Sequence, residues 1–132
     1  MAGTLGRIGI LDRGEAAMRL LQAVDELRRG GVPCTTVALH RSDEADAPWV
    51  LRADAARELN DDPAANPFGD LSSVRTALLD GGIDTAWVGW GPYAESARVA
   101  ALCEELGITF VGPAAHTLER IGDRLAAKQV AD

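Results

Sequence analysis

The residues of this sequence that could do chemistry fall in three short glycine-bearing segments: Asp12-Arg13-Gly14-Glu15, Gly89-Trp90-Gly91 through Glu95, and Gly112-Pro113-Ala114-Ala115. Glycine lets a backbone come close to a ligand, because nothing projects from its Cα. A dinucleotide site would need G-x-G-x-x-G after the first strand and an acidic residue ending the second. Here the first turn reads L-D-R-G-E-A with one glycine, and the second strand ends Leu39-His40-Arg41, so that chemistry is excluded. A phosphate-accepting receiver site needs several acids and a late lysine, and Asp12 alone does not supply it. No P-loop is present. Gly89-Trp90-Gly91 taken alone is explained equally well as a tight turn. His40 and His116 have no partner residue nearby in sequence and read as surface or capping residues. Trp49, Trp87 and Trp90 read first as packing residues, and Cys34 and Cys103 as inert thiols in apolar contexts. Glu104-Glu105 reads as a solvated helix face.

The elements around these segments alternate. Gly6–Leu11 is short and apolar, as a buried strand is. Ala17, Leu20, Leu21, Val24 and Leu27 recur at steps of three and four, which predicts a helix over 16–29. Gly30-Gly31 stops it, and residues 35–39 form a second strand after Pro33. A short edge strand is expected within 53–59, a turn-rich connection over 60–70, and a helix through Leu71, Val74 and Leu78 ending at Gly81-Gly82. Residues 41–48 read as a loop with at most one helical turn. Residues 83–88 and 108–111 read as strands around a helix over 94–106, and a last helical region opens near Thr117. Strand–helix alternation of this kind predicts an α/β fold, a three-layer Rossmann-like parallel sheet with right-handed crossovers. In such a sheet ligands bind beyond the C-terminal strand ends, which is where the three glycine-bearing segments fall.

The chain has 132 residues, enough for one domain with a real core. It carries 13 basic and 20 acidic residues, net −7, and 12 of the 13 basic residues are arginine. That balance argues against nucleic acid or an anionic membrane as a partner. Two cysteines with no spaced Cys/His cluster suggest neither a disulfide scaffold nor a metal site. No secretory leader or apolar run of membrane length is seen, so a cytoplasmic protein is expected.

Taken together, the segments resemble one family along nearly the whole chain. Leu11-Asp12-Arg13-Gly14-Glu15-Ala16-Ala17 with Arg19 resembles the A-N-R-G-E-I-A-x-R that opens biotin carboxylases. Residues 84–96 (D-T-A-W-V-G-W-G-P-Y-A-E-S) resemble D-A-I-H-P-G-Y-G-F-L-S-E-N, and 107–113 (G-I-T-F-V-G-P) resemble G-I-x-F-I-G-P. Residues 121–129 (I-G-D-R-L-A-A-K-Q) resemble the M-G-D-K-x-x-A-K that leads toward the ATP-grasp region, and Ala53-Asp54 sits where the family has A-D-E-A. The sequence is therefore similar to a biotin carboxylase N-terminal domain spanning residues 1–132, with ATP-grasp and C-terminal domains expected downstream of this chain. R-G-E and G-I-T-F-V-G-P favour the biotin enzymes over other ATP-grasp ligases, such as purine carboxylases or carbamoyl phosphate synthetases. A noncatalytic binding or assembly module is the alternative from another class.

The resemblance implies an ATP- and magnesium-dependent ligase that activates bicarbonate and carboxylates biotin held on a carrier domain, acting with a carboxyltransferase. It implies cofactor-binding roles for Gly89, Trp90, Gly91 and Arg124, a catalytic role for Glu95, and no metal ligand in this chain. Trp90 takes the place of a Tyr near the biotin ring, and Arg124 that of a Lys near the nucleotide phosphates. Because ATP and metal would be held mainly by the missing domains, the chain alone is expected to be inactive. The resemblance also implies a possible homodimer in which the first helix takes part, although Gln22 stands where an Arg is common. Other departures are Asp12 for Asn, Trp49 for His, Trp87-Val88 for His-Pro and Pro92 for Phe.

Overall fold

A computed structural model describes residues 5–12, 14–59, 71–88 and 97–111. Five parallel strands, β1 (Gly6–Ile10), β2 (Cys34–His40), β3 (Ala55–Glu58), β4 (Thr85–Trp87) and β5 (Thr109–Val111), lie in the order β3-β2-β1-β4-β5. Helices α1 (Gly14–Arg29) and α2 (Pro48–Arg52) pack on one face, and α3 (Leu71–Asp80) and α4 (Ala97–Leu106) on the other. The expected three-layer parallel α/β architecture is what forms.

The layers follow from side-chain alternation along the strands. Ile8, Ile10, Ala38 and Trp87 meet Leu20, Val24 and Leu27 of α1 and Trp49 of α2. Their neighbours Val37, Leu39, Ala86 and Val88 meet Val74 and Leu78 of α3 and Val99 and Cys103 of α4. Each fully buried leucine contributes about 2 kcal/mol. The α1 pattern read from the sequence is the face that is buried: Ala17, Leu20, Leu21, Val24 and Leu27.

α1 begins two residues earlier than expected, at Gly14, whose φ of +62° is left-handed. A side chain there would have open space around it but an unfavourable backbone, so glycine serves the sharp turn out of β1. The one helical turn allowed within 41–48 forms as a 3-10 turn over Ser42–Glu44, whereas α2 is not expected, because the loop reading ends at Pro48 and nothing is assigned to 49–52. Pro48 at the first helical position and the buried pair Trp49 and Val50 are the signals that a composition-based reading passes over. β3 occupies the sheet edge as expected, and β4 and β5 are shorter than the runs that predict them. The last helical region lies outside the described residues. Among the described residues no helix is long and apolar enough to cross a membrane.

Candidate functional site at the C-terminal strand edge

From β1 the chain builds outward to β2 and β3, then returns to place β4 and β5 on the other side. The connections leaving β1 and β4 therefore diverge to opposite faces, and the crevice between them is where an open parallel sheet binds ligands. The Leu11 amide donates to the Trp87 carbonyl at 2.9 Å, tying the two strand exits together. Asp12 leaves β1 here and is 8% exposed. Val88, fully buried, is the last described residue before the 89–96 segment. Gly89, Trp90, Gly91, Glu95 and Arg124 lie outside the described residues, as do residues 112–115. What the described structure supplies is the frame from which these segments extend.

Of the four buried polar residues among those described, Asp12 and His40 both stand at C-terminal strand ends. His40 reads from sequence as a surface or capping residue, and the surface reading is corrected: it is 6% exposed, because β2 is covered on both faces up to its last residue. Its Nδ1 lies 2.7 Å from the Arg41 carbonyl, so a neutral ring donates there and keeps its lone pair on Nε2. The Arg41 amide in turn donates to Glu44 Oε1 at 3.0 Å, closing a single 3-10 turn over Ser42–Glu44. The signal available in sequence was position alone, since His40 closes an apolar strand at the ligand edge.

Trp49 and Trp87 are core residues, 3% and 1% exposed. The Trp87 indole joins the α1-side cluster, so its substitution for His alters packing below the edge. Its Nε1 is buried without a hydrogen-bond partner among the described residues, as is Nε of Arg41. Cys34 and Cys103 are buried free thiols. Burial pushes the Cys103 thiol up to about 11 and also raises Cys34, which keeps both in the unreactive thiol form. Among the described residues no group of three or more His, Cys, Asp or Glu could hold a metal ion.

Asp84 opens the second motif yet lies at the opposite, N-terminal end of the sheet, bonded to β1. Asp54 joins three elements: its carboxylate accepts from Thr36 and from Arg28, beside the start of β3. These motif residues hold the frame.

The family described as the biotin carboxylase N-terminal domain matches residues 4–118. The chain is 30% identical over 122 residues to a biotin carboxylase of Halalkalibacterium halodurans, covering 92% of this chain and 26% of that protein. It is 34% identical over 124 residues to the alpha subunit of mitochondrial methylcrotonoyl-CoA carboxylase from Glycine max, covering 94% of this chain and 16% of that one. The solved biotin carboxylase subunit of a pyruvate carboxylase superposes with a TM-score of 0.71 at 33% identity, covering 96% of this chain and 27% of that one. The chain thus spans about a quarter or less of the length of these relatives.

Proposed function

We propose, for a chain that belongs to the biotin carboxylase N-terminal domain family, that it forms one wall of the site where an ATP-dependent ligase carboxylates biotin with bicarbonate. The observation that carries this is the coincidence of the motifs with the sheet. In sequence the R-G-E letters follow β1 and the G-W-G letters follow β4, and these two strands border the crevice. In this reading Gly89 and Gly91 let the backbone approach the reaction centre, and Trp90 packs on the ureido ring of biotin. Glu95 orients the reacting groups, and Arg124 faces the nucleotide phosphates. ATP and magnesium are held mainly by ATP-grasp and C-terminal domains that act with this one, and biotin arrives on a carrier domain for onward transfer by a carboxyltransferase. A cytoplasmic location belongs to the same proposal.

A second copy of the chain is the further partner. Glu15, Arg19, Gln22, Glu26 and Arg29 are all exposed and run along one stripe of α1. In an antiparallel pair centred on Gln22, Glu15 falls level with Arg29 of the second copy and Arg19 within one residue of Glu26. The stripe is therefore complementary to itself, as a two-fold contact requires.

The decisive experiment measures bicarbonate- and biotin-dependent ADP release by the chain alone and joined to the ATP-grasp and C-terminal portions of a biotin carboxylase. Activity is expected only in the joined form. Release above trace by the chain alone, or none from the joined protein, would overturn the proposal.

A further inference from the structure

We infer that Asp84 is a positioning residue: a lock at the N-terminal end of the sheet that fixes the register of β4, and through it the position of Val88, where the chain leaves β4 at the C-terminal strand edge. The bearing on carboxylation rests on the function proposed above, but the lock itself does not.

Besides the β1–β4 ladder, four hydrogen bonds join residues 5–7 to residues 81–85. The Arg7 amide donates to Asp84 Oδ2 at 2.9 Å, and the Asp84 amide donates back to the Arg7 carbonyl at 2.9 Å. Arg7 Nε donates to the Gly81 carbonyl at 2.7 Å, and the buried Thr85 hydroxyl donates to the Leu5 carbonyl at 2.9 Å. On the other side of β4, the Thr109 amide donates to the Asp84 carbonyl at 3.0 Å. Asp84 thus bonds to both strands flanking β4.

Gly6 makes the fit specific. Its φ is +55°, and a Cβ built on it would lie 2.1 Å from Asp84 Oδ2. The carboxylate occupies the space a side chain would fill, so β1 accepts Asp84 at this level and no bulkier arrangement.

Register matters more here than in a long strand. β4 has three residues, Thr85–Trp87, paired with Ile8, Gly9 and Ile10. A slip by one residue would exchange the faces of Ala86 and Trp87, driving the indole from the α1 core into the α3–α4 core. It would also carry Val88, the exit from β4, about 3.3 Å along the strand axis. So short a ladder has few bonds with which to resist this, and the end lock supplies the rest.

The test is a double-mutant cycle on the chain as it stands, with Asp84→Ala, Asp84→Asn, Gly6→Ala and the Gly6→Ala/Asp84→Ala pair. Amide exchange at Ala86 and Trp87 should quicken about tenfold or more in Asp84→Ala, with the near-ultraviolet dichroism of the tryptophans reduced. Exchange across β2 and β3 should stay as in the parent. Asp84→Asn, which keeps an acceptor oxygen, should restore most of the protection. Gly6→Ala should be more damaging in the parent than in the Asp84→Ala background, where the carboxylate contact is gone and only the left-handed φ and the 3.0 Å approach to the Cβ at position 84 remain. Additive effects, or a uniform rise in exchange across all five strands, would overturn the lock. In the joined carboxylase Asp84→Ala should lower kcat for biotin carboxylation while leaving the KM for ATP unchanged. An intact kcat beside the local exchange effect would show that the lock holds β4 without positioning the site.

Discussion

Thr36 and Asp54 hold each other from both sides. The Thr36 amide and hydroxyl donate to Asp54 Oδ2 at 2.8 and 3.0 Å, and the Asp54 amide donates to Thr36 Oγ1 at 3.0 Å. Arg28, at the end of α1, reaches the same carboxylate and donates from Nε to the Cys34 carbonyl at 2.8 Å. One side chain therefore joins the C-terminal turn of α1, the start of β2 and the entry to the edge strand β3.

This junction should be sensitive to acid. Burial pushes the Asp54 carboxyl up, but the Thr36 amide, the Arg28 guanidinium and the Thr36 hydroxyl outweigh it and hold it below the usual aspartate range. A depressed folded-state value stabilises the fold above the unfolded-state value near 3.9, and that contribution fades as pH falls through the folded-state value. Asp54→Asn should cost about 1 kcal/mol at neutral pH, a modest figure because the group is partly solvated. Thermal melts of parent and variant should converge as pH falls through the folded-state value. A constant gap across that range would show that the carboxylate charge contributes nothing.

How far the sequence disclosed all this depended on the range of the interaction. α1 was legible because five apolar residues at helical spacing fix both its type and its buried face. The sheet was legible from alternation of short apolar runs, and β3 from its place before a turn-rich stretch. α2 was missed because five residues are too few for a periodic signal, so only the core beneath Trp49 and Val50 makes them helical. Asp84 and Asp54 read as motif letters. Their partners, Arg7 and Thr36, are distant in sequence and become neighbours only through parallel crossovers. The candidate site divides in the same way. Its place at the strand ends is a rule of topology, while the residues proposed to meet biotin follow Val88 in sequence and lie outside the described residues.

Trp87 gives a prediction about the core. Its Nε1 is buried and unpartnered among the described residues, and such a donor costs roughly 1–3 kcal/mol. Trp87→Phe deletes the donor and part of the ring, so the two effects should largely offset each other. A change under about 1 kcal/mol is expected, against about 3–5 for Trp87→Ala. Urea denaturation decides the matter, and a Phe variant as damaged as the Ala variant would mean that the indole N–H has found an acceptor in solution.

The charged stripe on α1 can be tested by reversal. Arg19→Glu would place like charges opposite Glu26 of the second copy, twice per two-fold dimer. Exposed pairs are individually weak, so self-association should weaken about tenfold. The double variant Arg19→Glu/Glu26→Arg should restore it, since complementarity returns with the signs exchanged. Neutral Gln22 at the centre keeps the interaction modest, so sedimentation velocity over a range of concentrations is the suitable measurement. A double variant as weak as the single one would move the contact off this stripe.

Glu95 and Trp90 carry the sharpest test of the proposed site. Both follow β4, the strand that borders the crevice, and the parallel-sheet rule puts that connection at the ligand edge. If Glu95 orients the reacting groups, Glu95→Gln in the joined carboxylase keeps the volume and removes the charge. Losing one charge-assisted hydrogen bond should cost about 1.5–3 kcal/mol, a ten- to hundredfold fall in biotin carboxylation. Trp90→Ala should raise the KM for free biotin with less effect on the KM for ATP, because stacking concerns the ureido ring alone. Neither change should lower the melting temperature appreciably if the residues line an open cleft. A carboxylate serving only its helix start would behave in the opposite way. Carboxylation kinetics would then be unchanged and melting would fall by the few tenths to 1 kcal/mol that a dipole interaction is worth, about 2–5 °C for a domain of this size. That outcome would remove Glu95 from the site and leave the catalytic carboxylate to be sought outside this domain.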